Sequence, residues 1–377
     1  LKIVINTAHQ RFGGAIQVAL SFIYECRKFH ENEYHIWVGP GVKQSLKPED
    51  FPDNFHFSFF DFGIISLKKT FQINRTLQRE ESRLQPDVII ATSGPTYFHA
   101  KFAPQIIGFN LPLYIYSESP YVQELDGFAR LRMSIKKKFH FYFFRRDAAA
   151  YVVQTDDVNQ RVRKALRTDS VYTVTNTHSA NYQDWQRLPD RLPPRKPGCI
   201  RMITISAFYP HKNLDLIPRV LQQLRADGYD QVDFVVTLNE QDFRQHFEPD
   251  PNIINLGPVP PAECPSLYEE CDMLFLPTLA ECFSASYPEA MAMGKPIITT
   301  DLGFARSICG EAAVYFVPKD AASAARQIEK LLEDDHLRRK LICKGKERLK
   351  KFDTAEVRAE KYLDLCSKLV TNTTDTV

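Results

Sequence analysis

Short apolar runs and helix-spaced segments alternate along both halves of this chain. The series opens with Lys2–Asn6, which holds Ile3, Val4 and Ile5 in succession. Gly13-Gly14 follows, and Ala15 to Phe29 then has helical spacing at Val18, Phe22 and Cys26. Further strands are predicted at His35–Val38, Asp87–Ala91, Leu113–Tyr116 and Ala150–Gln154. Strands that are apolar throughout, separated by helices, mark a parallel sheet covered on both faces. Between Asp184 and Gly198 the alternation stops, and Pro189, Pro193, Pro194 and Pro197 stand among Arg, Asp and Lys as in an extended connector. It restarts at Arg201–Ser206, with a helix from about Leu214 to Arg225, then Val232–Thr237, Ile253–Leu256, Asp272–Pro277, Pro296–Thr300 and Ala313–Val317. A last helix, from about Thr354 to Leu369, has no strand after it and must pack on something already built. Residues 371–377 read as a frayed tail.

This pattern predicts two Rossmann-like α/β domains facing across a cleft. The first is 1–196 with its Pro-rich linker, the second is 197–352, and the C-terminal helix and tail, 353–377, pack back on the first. Ligands of such domains sit at the carboxyl ends of the strands.

A length of 377 residues agrees with two domains. Hydrophobic residues at 44% and charged ones at 25% describe a soluble globular protein. A net charge of +2 gives no broad basic field, which argues against nucleic acid. The eight cysteines are scattered, with no CxxC, so reduced thiols are expected rather than disulfides or zinc. No signal-like segment precedes the first strand, and nowhere do about 18 apolar residues run together. A cytoplasmic protein, at most resting on the inner face of the membrane, is the expectation. Glycine is scarce (15) beside Phe (27), Pro (24) and Tyr (16), so each glycine is expected where the backbone needs it.

The window Asp272 to Thr300 carries the chemistry. It parses as strand, loop, helix, glycine stop and strand, with Pro288 in the first helical turn and Gly294 at its end. Glu281 lies just past the strand and Glu289 in the first turn of the helix. The N–H groups of Phe283 to Tyr287 are expected to make an anion site at the helix start. Two carboxylates beside an anion site suit a hydroxyl-rich ligand that carries phosphate, because carboxylates accept hydrogen bonds from ribose and sugar hydroxyls. A glycosidase would use two carboxylates but would leave the anion site without a purpose.

The segment Pro277 to Pro296 resembles the signature of retaining glycosyltransferases of the GT-B fold, group 1 (family four). Pro277, Glu281, Phe283, Glu289-Ala290-Met291-Ala292, Gly294 and Pro296 stand in register with it, while Cys282 replaces the usual glycine and Ser284 or Ala285 the next small residue. Ile205 to Leu214, which contains Lys212, is similar to the segment in which that family places a diphosphate-binding Lys; the family's preceding Arg falls here at Ala207. The resemblance implies that Glu281 holds the donor sugar, Glu289 the ribose and Lys212 the diphosphate. It further implies that Phe283, Ser284, Ala285, Gly257, Val259, Asn239 and Gly14 contact the donor, and that Gly13 and Glu118 lie on the acceptor or sugar side. The implied reaction moves a sugar from a nucleoside-diphosphate-sugar to an acceptor hydroxyl with retention, in bacterial surface glycan or glycoconjugate synthesis. Neither a metal nor a cofactor beyond the donor is implied, since no D-x-D triplet follows an apolar strand. Two rivals share the architecture: a nucleotide-sugar epimerase and a catalytically silent sugar-nucleotide-binding protein.

Residues 130–146 interleave basic and aromatic side chains, with Leu131, Ile135, Phe139 and Tyr142 on one stripe and Phe141 and Phe144 on another. This helix either rests on an anionic membrane surface, near a glycan or lipid-linked acceptor, or is buried on two sides with its Lys and Arg stems snorkelling.

Overall fold

The structure is a computed structural model that describes residues 1–11, 13–183 and 185–374. Among the described residues thirteen strands form two all-parallel sheets. The first holds β1 (Lys2–Asn6), β2 (Glu33–Val38), β3 (Phe55–Phe59), β4 (Val88–Ala91), β5 (Gln105–Gly108), β6 (Ala150–Val153) and β7 (Val171–Thr173) in the order 3-2-1-4-5-6-7. The second holds β8 (Ile200–Thr204), β9 (Val232–Val236), β10 (Ile253–Asn255), β11 (Met273–Leu276), β12 (Ile297–Thr300) and β13 (Ala313–Phe316) in the order 10-9-8-11-12-13. Both orders reverse beside their first strand, at β1/β4 and at β8/β11. These are the topological switch points at which doubly wound sheets bind ligands.

The central strands are buried on both faces. Every residue of β4, β5, β6, β9, β11 and β12 is buried, which is why they read as continuous apolar runs. One face of the first sheet packs Ile3, Ile5, Tyr34 and Ile36 against the 14–25 helix, and Tyr362, Leu363 and Cys366 of the C-terminal helix Ala355–Thr374 join the same core. The C-terminal helix thus packs on the first sheet, as its pattern required. It runs through Thr374, beyond the predicted Leu369; residues 375–377 of the predicted tail lie outside the described residues.

Two predictions need correction. Leu113–Tyr116 is not a strand: Pro112 opens a 3-10 turn, Pro112–Tyr114, and a residue without an N–H does not suit a central strand. The strand in that region is β5, whose apolar core is only Ile106-Ile107 between Gln105 and Gly108, too short to read as a run. The domain boundary also moves. The chain divides into one unit of residues 1–115, 125–176 and 353–377 and another of 116–124 and 177–352. The Pro-rich segment, predicted as an extended connector belonging to the first domain, belongs to the second unit because it is laced to the 264–269 helix and its end. The Glu270 carboxylate accepts from the N–H groups of Arg191 (3.0 Å) and Leu192 (2.8 Å), and Ser266 Oγ accepts from the Leu188 N–H (2.9 Å). Arg195 pairs with Asp272 at 2.7 Å. Asp184, where the connector was predicted to begin, lies outside the described residues.

Candidate functional site

The carboxyl ends of β8 and β11 carry the predicted donor residues, at the switch point of the second sheet. After β8 the chain runs through a 3-10 turn, Pro210–Lys212, and Asn213 in the left-handed region, before the helix Leu216–Ala226. This turn aims Lys212 at the loop that follows β11. There the Lys212 ammonium makes an ion pair with Glu281, both side chains mostly buried. Thr278 Oγ donates to Glu281 Oε1 at 3.1 Å, so the carboxylate is held from two directions. The two segments are also joined through their backbones, since the Leu279 N–H donates to the His211 carbonyl at 2.8 Å. His211 lies beside the pair; burial lowers its pKa, partly opposed by Glu281, which favours a neutral ring.

Hydroxyls at the strand ends fix the loop itself. Thr300 Oγ donates to the Thr278 carbonyl (2.7 Å), Thr299 Oγ donates to the Leu276 carbonyl (2.8 Å), and the Tyr287 hydroxyl lies 2.8 Å from Thr299 Oγ. All three residues are buried, so the geometry around Glu281 is set by a buried hydrogen-bond network.

Glu289 stands in the first turn of the helix Ser286–Ala292, which ends at Gly294 with φ +64° as the sequence predicted. The Tyr268 hydroxyl donates to Glu289 Oε2 at 3.5 Å, and Tyr182 faces the same carboxyl. Burial raises the Glu289 pKa to about 7, with the two tyrosine hydroxyls pulling it back. A carboxyl poised near neutrality is a frequent property of functional sites. The anion site is narrower than predicted. Of the N–H groups from Phe283 to Tyr287, that of Tyr287 donates to the Ser284 carbonyl at 3.3 Å, and the helix is only seven residues long.

The remaining predicted residues separate into two groups. Phe283 packs edge-on against Phe352 (ring centroids 5.8 Å apart), Ser284 is buried, and Ala285 is the N-cap of the Glu289 helix, so all three stay on the same loop. Gly257 and Val259 follow β10, and the Gly257 N–H donates to Asn255 Oδ1 at 3.3 Å. The Asn239 side chain caps the helix Glu240–His246 by accepting from the Asp242 N–H at 2.9 Å, which is a structural role. Glu118 is exposed on a segment that belongs to the second unit, where Ser119 Oγ donates to the Leu279 carbonyl at 2.8 Å. Gly13 and Gly14 belong to the first unit. Gly13 has φ +87° and precedes the helix Gly14–Glu25, whereas a Cβ at Gly14 would meet open space.

Several contributors carried no motif in the sequence. Thr278, His211, Tyr268 and Tyr182 reach the two carboxylates only through the fold, although Thr278 stands three residues before Glu281 and marks the same loop. In the first unit Glu33, His35 and His56 bring one ligand atom each to within 4.8 Å of one another, a group with the geometry to hold a metal ion. His35 and His56 are register partners on β2 and β3, so their meeting is invisible to the Cys/His spacing that argued against zinc.

Residues 193–348, which carry Lys212, Glu281 and Glu289, match the family described as Glycosyl transferases group 1. Among curated proteins it is similar to N,N'-diacetylbacillosaminyl-diphospho-undecaprenol alpha-1,3-N-acetylgalactosaminyltransferase of Campylobacter jejuni, 31% identical over 108 residues. That match spans 28% of this chain and 28% of the relative. Among solved structures it is similar to HepE of Anabaena in complex with UDP and glucose (TM-score 0.70, 16% identity, 98% of this chain and 99% of that one). It is similar as well to sucrose-phosphate synthase of Thermosynechococcus elongatus (TM-score 0.74, 14% identity, 98% and 99%). Its two parallel-sheet, Rossmann-like units are of the GT-B fold class.

Proposed function

We propose that the protein is a retaining glycosyltransferase that moves a sugar from a nucleoside-diphosphate-sugar to an acceptor hydroxyl. The observation that carries this reading is the pairing of Lys212 with Glu281 at the β8/β11 switch point, in a segment that also holds the near-neutral carboxyl of Glu289. A buried Lys held by one carboxylate is a point charge ready to be shared with an incoming diphosphate. On donor binding, Lys212 would turn part of its charge to the diphosphate and leave Glu281, still oriented by Thr278, to accept from sugar hydroxyls. Glu289 would accept from the ribose. As the glycosidic bond breaks, negative charge grows on the leaving diphosphate, and Lys212 with the N–H groups of Phe283, Ser284 and Ala285 would stabilise it without reorganising. The protein thereby contributes positioning and preorganised charge, and the reading needs no metal.

The UDP held by HepE supports a nucleotide donor, and the diphospho-undecaprenol in the name of the Campylobacter relative supports a lipid-linked glycan acceptor. Bacterial surface glycan synthesis at the cytoplasmic face of the membrane is the setting this implies.

The test is a panel of nucleotide sugars incubated with the protein, with and without a chelator, and read by released nucleoside diphosphate. Release with at least one donor is expected, surviving chelation. Glu289→Ala and Lys212→Met are each expected to lower it at least 100-fold while the fold is kept, a loss typical of a missing transition-state contact. An isomerised donor, or binding with no turnover, would replace the reading by an epimerase or a silent binding protein.

A further inference from the structure

The helix Gly127–Asp147 of the first unit has a face that the donor chemistry does not use. It carries seven Lys and Arg residues and no carboxylate before Asp147, a net +6 on a chain whose whole net charge is +2. Its buried side is formed by Phe141, Phe143, Phe144 and Asp147. The other side is uncovered: Phe128 is 78% exposed, Leu131 59%, Ile135 61% and Tyr142 60%. At 3.6 residues per turn these four fall within a sector of about 60°. Arg132 and Lys136 flank that ridge on one side and Lys138 and Arg145 on the other, all four exposed. The expectation of burial on two sides is therefore not met, and the stripe loses one predicted member, because Phe139 is half-buried and packs into the core.

Beside the ridge lies a groove of about 720 Å³ lined by Lys137, Lys138, Phe141, Tyr142, Arg145 and Arg146. Lys137 is partly buried there with its ammonium 5.3 Å from the centre of the Phe141 ring, and among the described residues no carboxylate pairs with it. Burial without a partner lowers its pKa. Such a cation gains from an anion brought to it from outside.

We propose that this face docks on an anionic membrane surface, with Phe128, Leu131, Ile135 and Tyr142 entering the headgroup boundary and the flanking cations and groove receiving lipid phosphates. An apolar ridge with basic flanks is the composition of helices that lie in the membrane plane. Each Lys or Arg near such a surface strengthens binding about fivefold. No helix among the described residues is long and apolar enough to cross a membrane, so docking would be peripheral. The proposal stands apart from sugar transfer, and its test does not use turnover.

The full chain is sedimented with vesicles of phosphatidylcholine alone and of phosphatidylcholine with about one third phosphatidylglycerol, at low and high salt. Binding to the anionic vesicles that weakens with salt is expected, with little on the neutral ones. Arg132→Glu/Lys136→Glu and Leu131→Gln/Ile135→Gln are each expected to weaken it at least tenfold at unchanged melting temperature, since all four side chains are exposed. Wild-type protein left in solution at low salt would overturn the proposal, as would undiminished binding by both double variants. So would a concentration-dependent dimer dispersed by Leu131→Gln/Ile135→Gln in the absence of vesicle binding.

Discussion

At the scale of single residues, the role proposed for Glu289 would couple burial to donor binding. Its pKa is raised to about 7 by desolvation, above the value of 4.5 that an unfolded glutamate has. The native state therefore holds a proton that the unfolded chain releases between these two values, and the stability this carboxyl contributes falls as pH rises from about 4.5 to about 7. In the proposed role donor binding would have the opposite trend, because the ionised form is the stronger acceptor for ribose hydroxyls. Nucleotide affinity measured by calorimetry is expected to rise as pH passes through about 7, and Glu289→Gln is expected to flatten that profile. A wild-type affinity that does not change between pH 6 and pH 8 would contradict the role. Sequence pattern marked Glu289 and Glu281 through their register with a helix start. It was silent on Tyr268 and Tyr182, because a tyrosine 21 residues upstream meets a carboxyl only when β11 and the following helix fold over it.

The elements around the site have stability of their own to lose. Glu270, nearly buried, accepts two backbone N–H donors from the Pro-rich segment. Glu270→Ala is expected to cost about 2 kcal/mol, since it strands two donors at a partly buried position. Urea unfolding measures the loss, and faster proteolysis within 186–195 is the local sign. A change below about 0.5 kcal/mol would mean that water replaces the carboxylate at no penalty. The six strands of the second sheet were legible as apolar runs, each within two residues of its observed bounds. In the first sheet β3 and β7 were missed because they are edge strands with exposed positions, and β5 because two isoleucines do not make a readable run.

For the molecule as a whole, the first unit is built from both ends of the chain. Tyr362, Leu363 and Cys366 complete a core that begins with Ile3 and Ile5. Buried Arg358 donates to Ser21 Oγ at 2.7 Å and to Asn176 Oδ1 at 2.5 Å, tying the C-terminal helix to both the start and the end of the unit's earlier segments. Deleting 353–377 uncovers that face of the sheet and leaves Ser21 and Asn176 without their partner. Calorimetry is expected to show one transition lowered by more than 10 °C, or lost, and a second one kept, because the second unit does not include the deleted residues. A single unchanged transition would show that the helix is dispensable.

What the sequence by itself determined is the alternation of apolar runs and helices, hence two parallel sheets, and the spacing that places Glu281 and Glu289 on one loop and helix. These follow from local rules: side-chain periodicity, proline at a helix start, glycine at a helix end. What only the tertiary structure decided is which side chains face those carboxylates, to which unit the Pro-rich segment and residues 116–124 belong, and which side of the 127–147 helix stays uncovered. Each of these depends on contacts between residues distant in the chain. Such contacts are set by how sheets and helices stack, and the periodicity of any one segment does not encode them.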